Sequence, residues 1–99
     1  MRADDIAAIG IDSKGSLWVE PATTSFPFIY QAAMEVHWDA ERRCLYAPKP
    51  REWSYIDRFI QIRKAALSEY GIDLGLTPRT SWSNVDEKLK ADLTAPSLG

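Results

Sequence analysis

Cysteine and histidine each occur once in these 99 residues. The lone Cys44 cannot close an internal disulfide, which excludes a disulfide-stapled fold and points to a reducing compartment, the cytoplasm. One His and one Cys fall short of the three or four ligands a zinc site requires, and Asp4, Asp5 and Asp12 lack the spacing of a calcium loop. No metal and no cofactor is expected. Glycine is also sparse: Gly10 and Gly15 fall in a hairpin, Gly71 and Gly75 around a helix end, and none between a strand and a helix where a phosphate loop needs it. Positive charge is not in excess, with 12 basic against 14 acidic residues, a net charge of −2 and a pI near 5.3. Nucleic acid, whose affinity rests on neutralising phosphates, is therefore not an expected partner. No apolar run approaches the roughly 20 residues that span a bilayer. The opening MRADDIAAIG has no apolar stretch of the signal-peptide kind, so no membrane partner is expected.

What is present is an aromatic-rich, folded composition, 45% hydrophobic and 26% charged with four Trp. The length suits one domain with a modest core. We expect a single domain over 1–99, with about 1–4 and 95–99 as disordered tails.

The longest periodic stretch is Arg51 to Tyr70. On a 3.6-residue period Trp53, Tyr55, Ile56, Phe59, Ile60, Ile62, Ala66, Leu67 and Tyr70 share one half of a helix, opposite Ser54, Asp57, Arg58, Gln61, Lys64, Ser68 and Glu69. Pro50 suits the first turn, and Gly71 supplies a left-handed stop. Arg63 breaks the apolar arc. A guanidinium there snorkels, pairs with an acid such as Glu35 or Glu87, or faces a ligand or a second subunit.

Ahead of the helix, Asp12-Ser13-Lys14-Gly15 reads as a type I turn with a bulge at Gly15, joining Ile6–Ile11 to Ser16–Glu20. That register sets Ile11 opposite Leu17, Ile9 opposite Val19, and Gly10 opposite Trp18, with the indole over the glycine. A prolonged alternation follows: Phe28, Tyr30, Ala32, Met34, Val36 and Trp38 face one side, and Ile29, Gln31, Ala33, Glu35, His37 and Asp39 the other. A two-residue loop after Asp39 would place His37 opposite Cys44 and Glu35 opposite Tyr46, before Pro48 ends the strand. Asp73–Thr80 reads as irregular, and Asn84–Leu93 as a short second helix capped by Ser83 and Asp86.

The expected fold is therefore α+β: a four-stranded antiparallel meander with the long helix packed on one face and a short C-terminal helix. One face gathers Ile9, Ile11, Leu17, Val19, Tyr30, Met34, Val36, Trp38 and Leu45 as the core. The other gathers Trp18, Ile29, Gln31, Glu35, His37, Arg42, Cys44 and Tyr46, too apolar for an ordinary wet surface. A second copy of the chain is the first partner expected there, as a dimer or tetramer.

The catalytic candidates by residue type are His37, Cys44 and Glu35: a thiol, an imidazole to favour its ionisation, and a carboxylate to orient the ring. They lack a helix N-terminus or glycine elbow to stabilise an oxyanion. Trp53, Tyr55, Tyr70 and Trp82 could instead line a small-molecule pocket beside Arg63.

The runs FPFIYQAAMEVHWD, CLYAP, REWSY and EYGIDLGLTPRTSW resemble the small α+β proteins encoded by integron gene cassettes. The resemblance implies a bacterial, cytoplasmic accessory protein from mobile DNA, with oligomers common in the group and no agreed active-site residues. Three functions stay open on the residues: a self-associating interaction module with Trp18, His37, Cys44, Tyr46 and Arg63 at its contact surface; a small-molecule binder or small enzyme using His37, Cys44 and Arg63; and an immunity or antitoxin-type partner of another protein.

Overall fold

The computed structural model describes residues 2–94. Its elements run β1 (Arg2–Ile11), β2 (Leu17–Pro21), a 3-10 turn (Ile29–Gln31), β3 (His37–Asp39), β4 (Cys44–Ala47), α1 (Tyr55–Tyr70), β5 (Ile72–Gly75), β6 (Ser81–Ser83) and α2 (Glu87–Thr94). The fold is α+β, as expected, but the sheet has six strands and is mixed. Its order is β3-β4-β2-β1-β5, with β6 also against β1. The antiparallel meander is real in β1-β2 and β3-β4, while β5 and β6 both run parallel to β1. The 73–80 stretch expected to be irregular therefore gives its first three residues to β5, while 76–80 are irregular as expected and β6 begins just after them at Ser81. β1 also begins well before Ile6, and Arg2 to Asp5 pair with Ile72 to Gly75. The expected tail thus does not hold at residues 2–4, whereas Met1 and 95–99 lie outside the described residues.

The β1–β2 turn is specified locally. Asp12 Oδ1 accepts from the Lys14 and Ser16 amides at 2.9 Å each, and Gly15 takes φ +86. The register then falls as read, Ile11 to Leu17 and Gly10 to Trp18.

Helix α1 starts later than the periodicity suggested. Ser54 is the N-cap: its hydroxyl accepts from the Asp57 amide and the Asp57 carboxylate accepts from the Ser54 amide, so the true start is a capping box. Gly71 closes the helix at φ +66. The buried arc is Arg58, Phe59, Ile62, Ala65 and Ala66, turned from the expected one toward Arg58 and Ala65, and Leu67 is exposed. The cause is a second covering layer: α1 lies on β5 and β2 and is also flanked by the 3-10 segment. Helix α2 likewise begins three residues later than expected, with the Asp86 carboxylate accepting from the Leu89 amide at 2.7 Å.

The segment 28–36 departs most from expectation. It is not a strand, because β4 is cut to four residues by Pro48 and offers β3 only three rungs, leaving no ladder for the rest. The chain instead crosses the helix flank as a strap. Phe26, Ile29 and Val36 point into the core, while Tyr30 and Met34, expected inside, are exposed. The alternation does hold at the end of the segment: Val36 is buried, Trp38 packs on the core, and His37 faces out.

The strap is tied to the start of β1. Asp4 is buried, and its carboxylate accepts from the Thr23 amide (3.2 Å), the Thr23 hydroxyl (3.1 Å) and the Thr24 amide (2.9 Å). Burial pushes this carboxyl up, but the hydrogen bonds from Thr24 and Thr23 outweigh it and hold the group below its ordinary value. A carboxyl depressed in the folded state stabilises fully above its unfolded pKa and loses that contribution as pH falls through the lower folded value. Asp4→Asn should therefore cost about 1–3 kcal/mol at pH 7, and the gap should close as pH drops below about 4. Urea midpoints of both chains at pH 7 and pH 3 measure it; an equal gap at both would show that the charge is not what matters.

Candidate functional site

Two surfaces bring polar chemistry and aromatic rings together. The first is the sheet face opposite the core. Gly10, Trp18, Tyr46 and His37 are successive cross-strand neighbours on β1, β2, β4 and β3, so their side chains form one row. The His37 and Tyr46 rings lie 5.4 Å apart, and the Arg42 guanidinium sits 5.6 Å over Trp18.

His37 is not opposite Cys44. The observed pairs are His37 with Tyr46 and Asp39 with Cys44, two residues from the expected register. The β3–β4 loop is four residues, not two: Asp39 Oδ1 accepts from the Glu41 and Arg42 amides, and Arg43 takes the left-handed conformation at φ +54. Because the slip is even, each side chain keeps its face. Cys44 is buried, and burial pushes its thiol above the usual value, with Arg42 pulling down and Asp39 and Glu20 pushing up. A neutral, buried thiol separated by one rung from the imidazole is not an activated nucleophile. Glu35, the third catalytic candidate, is exposed and lies by Arg58 on the other side of Val36.

Arg63 has structural partners. Its Nε donates to Leu74 O at 2.8 Å and its Nη2 lies 3.3 Å from Asp73 Oδ1, so the acid is Asp73 rather than Glu35 or Glu87. Of the aromatic residues placed beside it, Trp53 and Tyr55 line one cavity of about 520 Å³, whose lining does not include Arg63. Tyr55 donates to Gly15 O at 2.7 Å, Tyr70 accepts from the Phe28 amide, and Trp82 lies under Lys90.

The second surface was missed from the residues alone. The buried arginine of α1 is Arg58, 2% exposed, assigned by periodicity to the wet side. Its Cζ lies 4.6 Å from the Trp53 ring centre, its Nη1 donates to Gln61 Oε1 at 2.8 Å, and its Nη2 is 3.7 Å from Glu35 Oε2. A cavity of about 470 Å³ opens there between Glu35, Lys49, Arg51, Glu52, Trp53 and Arg58. The one legible signal was Trp53 five residues before an arginine at a helix start, a stacking geometry that becomes specific only once the cap is placed at Ser54. Beside it, a groove of about 540 Å³ runs along α1 between Ala32, Ala33, Met34 and Trp53 on one side and Asp57, Ile60 and Lys64 on the other. Among the described residues no group of three or more His, Cys, Asp or Glu could hold a metal ion, and no helix is long and apolar enough to cross a membrane.

The chain is thus a small α+β protein in which, among the described residues, His37, Cys44 and Glu35 are not brought together. The family model described as Integron Cassette Protein Hfx_Cass5 matches residues 4–80. The chain belongs to this integron cassette family, to which no activity is assigned. It is similar to a solved structure, the Integron Cassette Protein Hfx_Cass5 from the mobile metagenome of the North West Arm sewage outfall. The two are 48% identical, over 95% of this chain and 94% of that one. Their TM-score is 0.49, so the relationship rests on sequence and not on superposition. No curated protein sequence matches the chain.

Proposed function

We propose that this protein is a non-enzymatic interaction module of the cytoplasm that self-associates through the flank of α1 and the strap beside it. The observation that supports this is where bare apolar surface falls. Of the six exposed large apolar side chains among the described residues, Phe28 (55%), Tyr30 (55%) and Met34 (81%) lie on the strap and Trp53 and Leu67 on or beside α1, leaving only Tyr46 elsewhere. Water-exposed groups of this kind in one region mark a contact surface. The partner is a second copy because the charges along the groove are self-complementary. Asp57 and Lys64 stand seven residues apart on one helix face, so an antiparallel, two-fold approach sets each Lys64 against the other copy's Asp57.

Light scattering after size exclusion should give twice the 11.2 kDa protomer mass at about 100 µM. Met34→Glu or Lys64→Glu should weaken association by tenfold or more, to order of magnitude. A wild-type monomer at that concentration would sink the reading. A second reading rests on the Trp18, Tyr46 and His37 row with Arg42 above it: if Tyr46→Glu dissociates the copies and Met34→Glu does not, the interface is the open sheet face.

A further inference from the structure

We propose that Arg58 is the recognition group of a small-molecule site whose ligand is an organic monocarboxylate with a flat body that lies against Trp53. The inference shares Trp53 with the proposed contact surface but does not rest on self-association; it rests on how the guanidinium is held. Arg58 is 2% exposed, and a buried guanidinium normally has its N–H groups matched to acceptors. One edge is matched, by Nη1 to Gln61 Oε1 at 2.8 Å. The other edge is not. Nε is buried and has no hydrogen-bond partner among the described residues, and Nη2 has only Glu35 Oε2 at 3.7 Å, too far for a hydrogen bond. Nε and Nη2 form the side-on fork of an arginine, two parallel donors spaced for the two oxygens of one carboxylate.

The surroundings select the rest of the ligand. Trp53 covers the guanidinium at 4.6 Å and is itself 41% exposed, so its ring offers an apolar face to whatever occupies the cavity. The lining charges are Lys49, Arg51 and Arg58 against Glu35 and Glu52, a net of one positive charge, which suits a monoanion better than a phosphate dianion. A volume of about 470 Å³ admits a ring-sized molecule. Glu35 is the gate. It sits at φ +67, unusual for a glutamate, and its side chain is 55% exposed, so its carboxylate stands near the fork without closing on it. An incoming carboxylate displaces Glu35 to solvent and takes both donors.

The test uses the full chain labelled with ¹⁵N, following the arginine Nε–H resonances during titration with sodium benzoate, sodium phosphate and sodium chloride at constant ionic strength. Benzoate should give a saturable downfield shift of the Arg58 resonance, identified by its loss in Arg58→Lys. Chloride should give none, and phosphate should bind roughly tenfold more weakly. Glu35→Gln removes the competing carboxylate and should tighten benzoate binding several-fold, because apparent affinity scales with the fraction of open fork. Arg58→Lys keeps the charge but loses the fork, and should weaken binding more than about tenfold, read from the remaining amide shifts. If Arg58→Lys does not fold, Trp53→Ala at an exposed side chain should weaken benzoate by at least about threefold. The proposal is overturned by the lack of a saturable Arg58 shift up to about 20 mM benzoate. Phosphate binding tighter than benzoate, or benzoate affinity unchanged in Arg58→Lys or Trp53→Ala, overturns it equally.

Discussion

Replacing Phe26 with alanine should remove about 3–5 kcal/mol of stability, a large share of the roughly 5–15 kcal/mol available to a domain of this size. Phe26 is fully buried and among the largest core side chains, although Pro27 follows it directly and it lies in a stretch that reads as loop. Its ring meets Tyr70 edge-on at 4.9 Å and Trp38 at 6.0 Å, so it joins the end of α1 to β3. Truncation leaves a cavity that these aromatics, one of them held by the Phe28 amide, cannot collapse into. Melting should fall on the order of 15–30 °C by circular dichroism. Phe26→Leu should cost less than about 1.5–2 kcal/mol, since it keeps most of the volume. If the alanine variant lost under about 1 kcal/mol, the strap would not be part of the core.

The strap also shows why parts of the chain were legible and others were not. Local chemistry read correctly where it was self-sufficient. Asp12 and Gly15 fix their turn without help from elsewhere, and Gly71 ends α1 by backbone conformation alone. Tertiary competition defeated the rest. Alternation from Phe28 to Asp39 is a valid strand pattern, yet a strand also needs a partner of its own length, and that is decided by Pro48 on a neighbouring segment. The β3–β4 loop ran two residues long because Arg43, not a glycine, takes the left-handed position. Strands β5 and β6 are short and pair with residues some 70 positions away, where Ile72 and Leu74 alternate over too few residues to stand out.

The arginines on α1 make the same point for the candidate sites. Periodicity put Arg63 in the apolar arc and Arg58 on the wet side, but a helix covered from two directions buries a rotated arc. Arg63 then reaches the rim and the Leu74 carbonyl, while Arg58 is enclosed between Trp53 and the strap. On the sheet face, residue parity alone placed Trp18, Tyr46 and His37 together, since an even register slip preserves every orientation. Proximity of His37 to Cys44 demanded the register itself, which parity does not supply.

Gly10→Ala tests the same face at its centre and should be nearly as costly as Phe26→Ala, for a steric reason. A methyl at position 10 would lie 2.6 Å from the Ser83 carbonyl oxygen and 2.6 Å from Cζ2 of Trp18, inside contact distance of both. The indole can swing outward because the face is open; the β6 backbone, paired to β1 through Ala8, Ile9 and Gly10, can move only by giving up that pairing. The expected loss is about 2–4 kcal/mol in urea unfolding, with a change in tryptophan emission as Trp18 leaves its place over the glycine. Trp18→Ala added to Gly10→Ala should recover part of the loss, a coupling of about 0.5–2 kcal/mol, and not all of it, because the clash with Ser83 remains. Complete recovery would place the whole strain in the ring and none in the strand. A cost below about 0.5 kcal/mol for Gly10→Ala alone would contradict the close approach of β6 to β1 on which the mixed sheet depends.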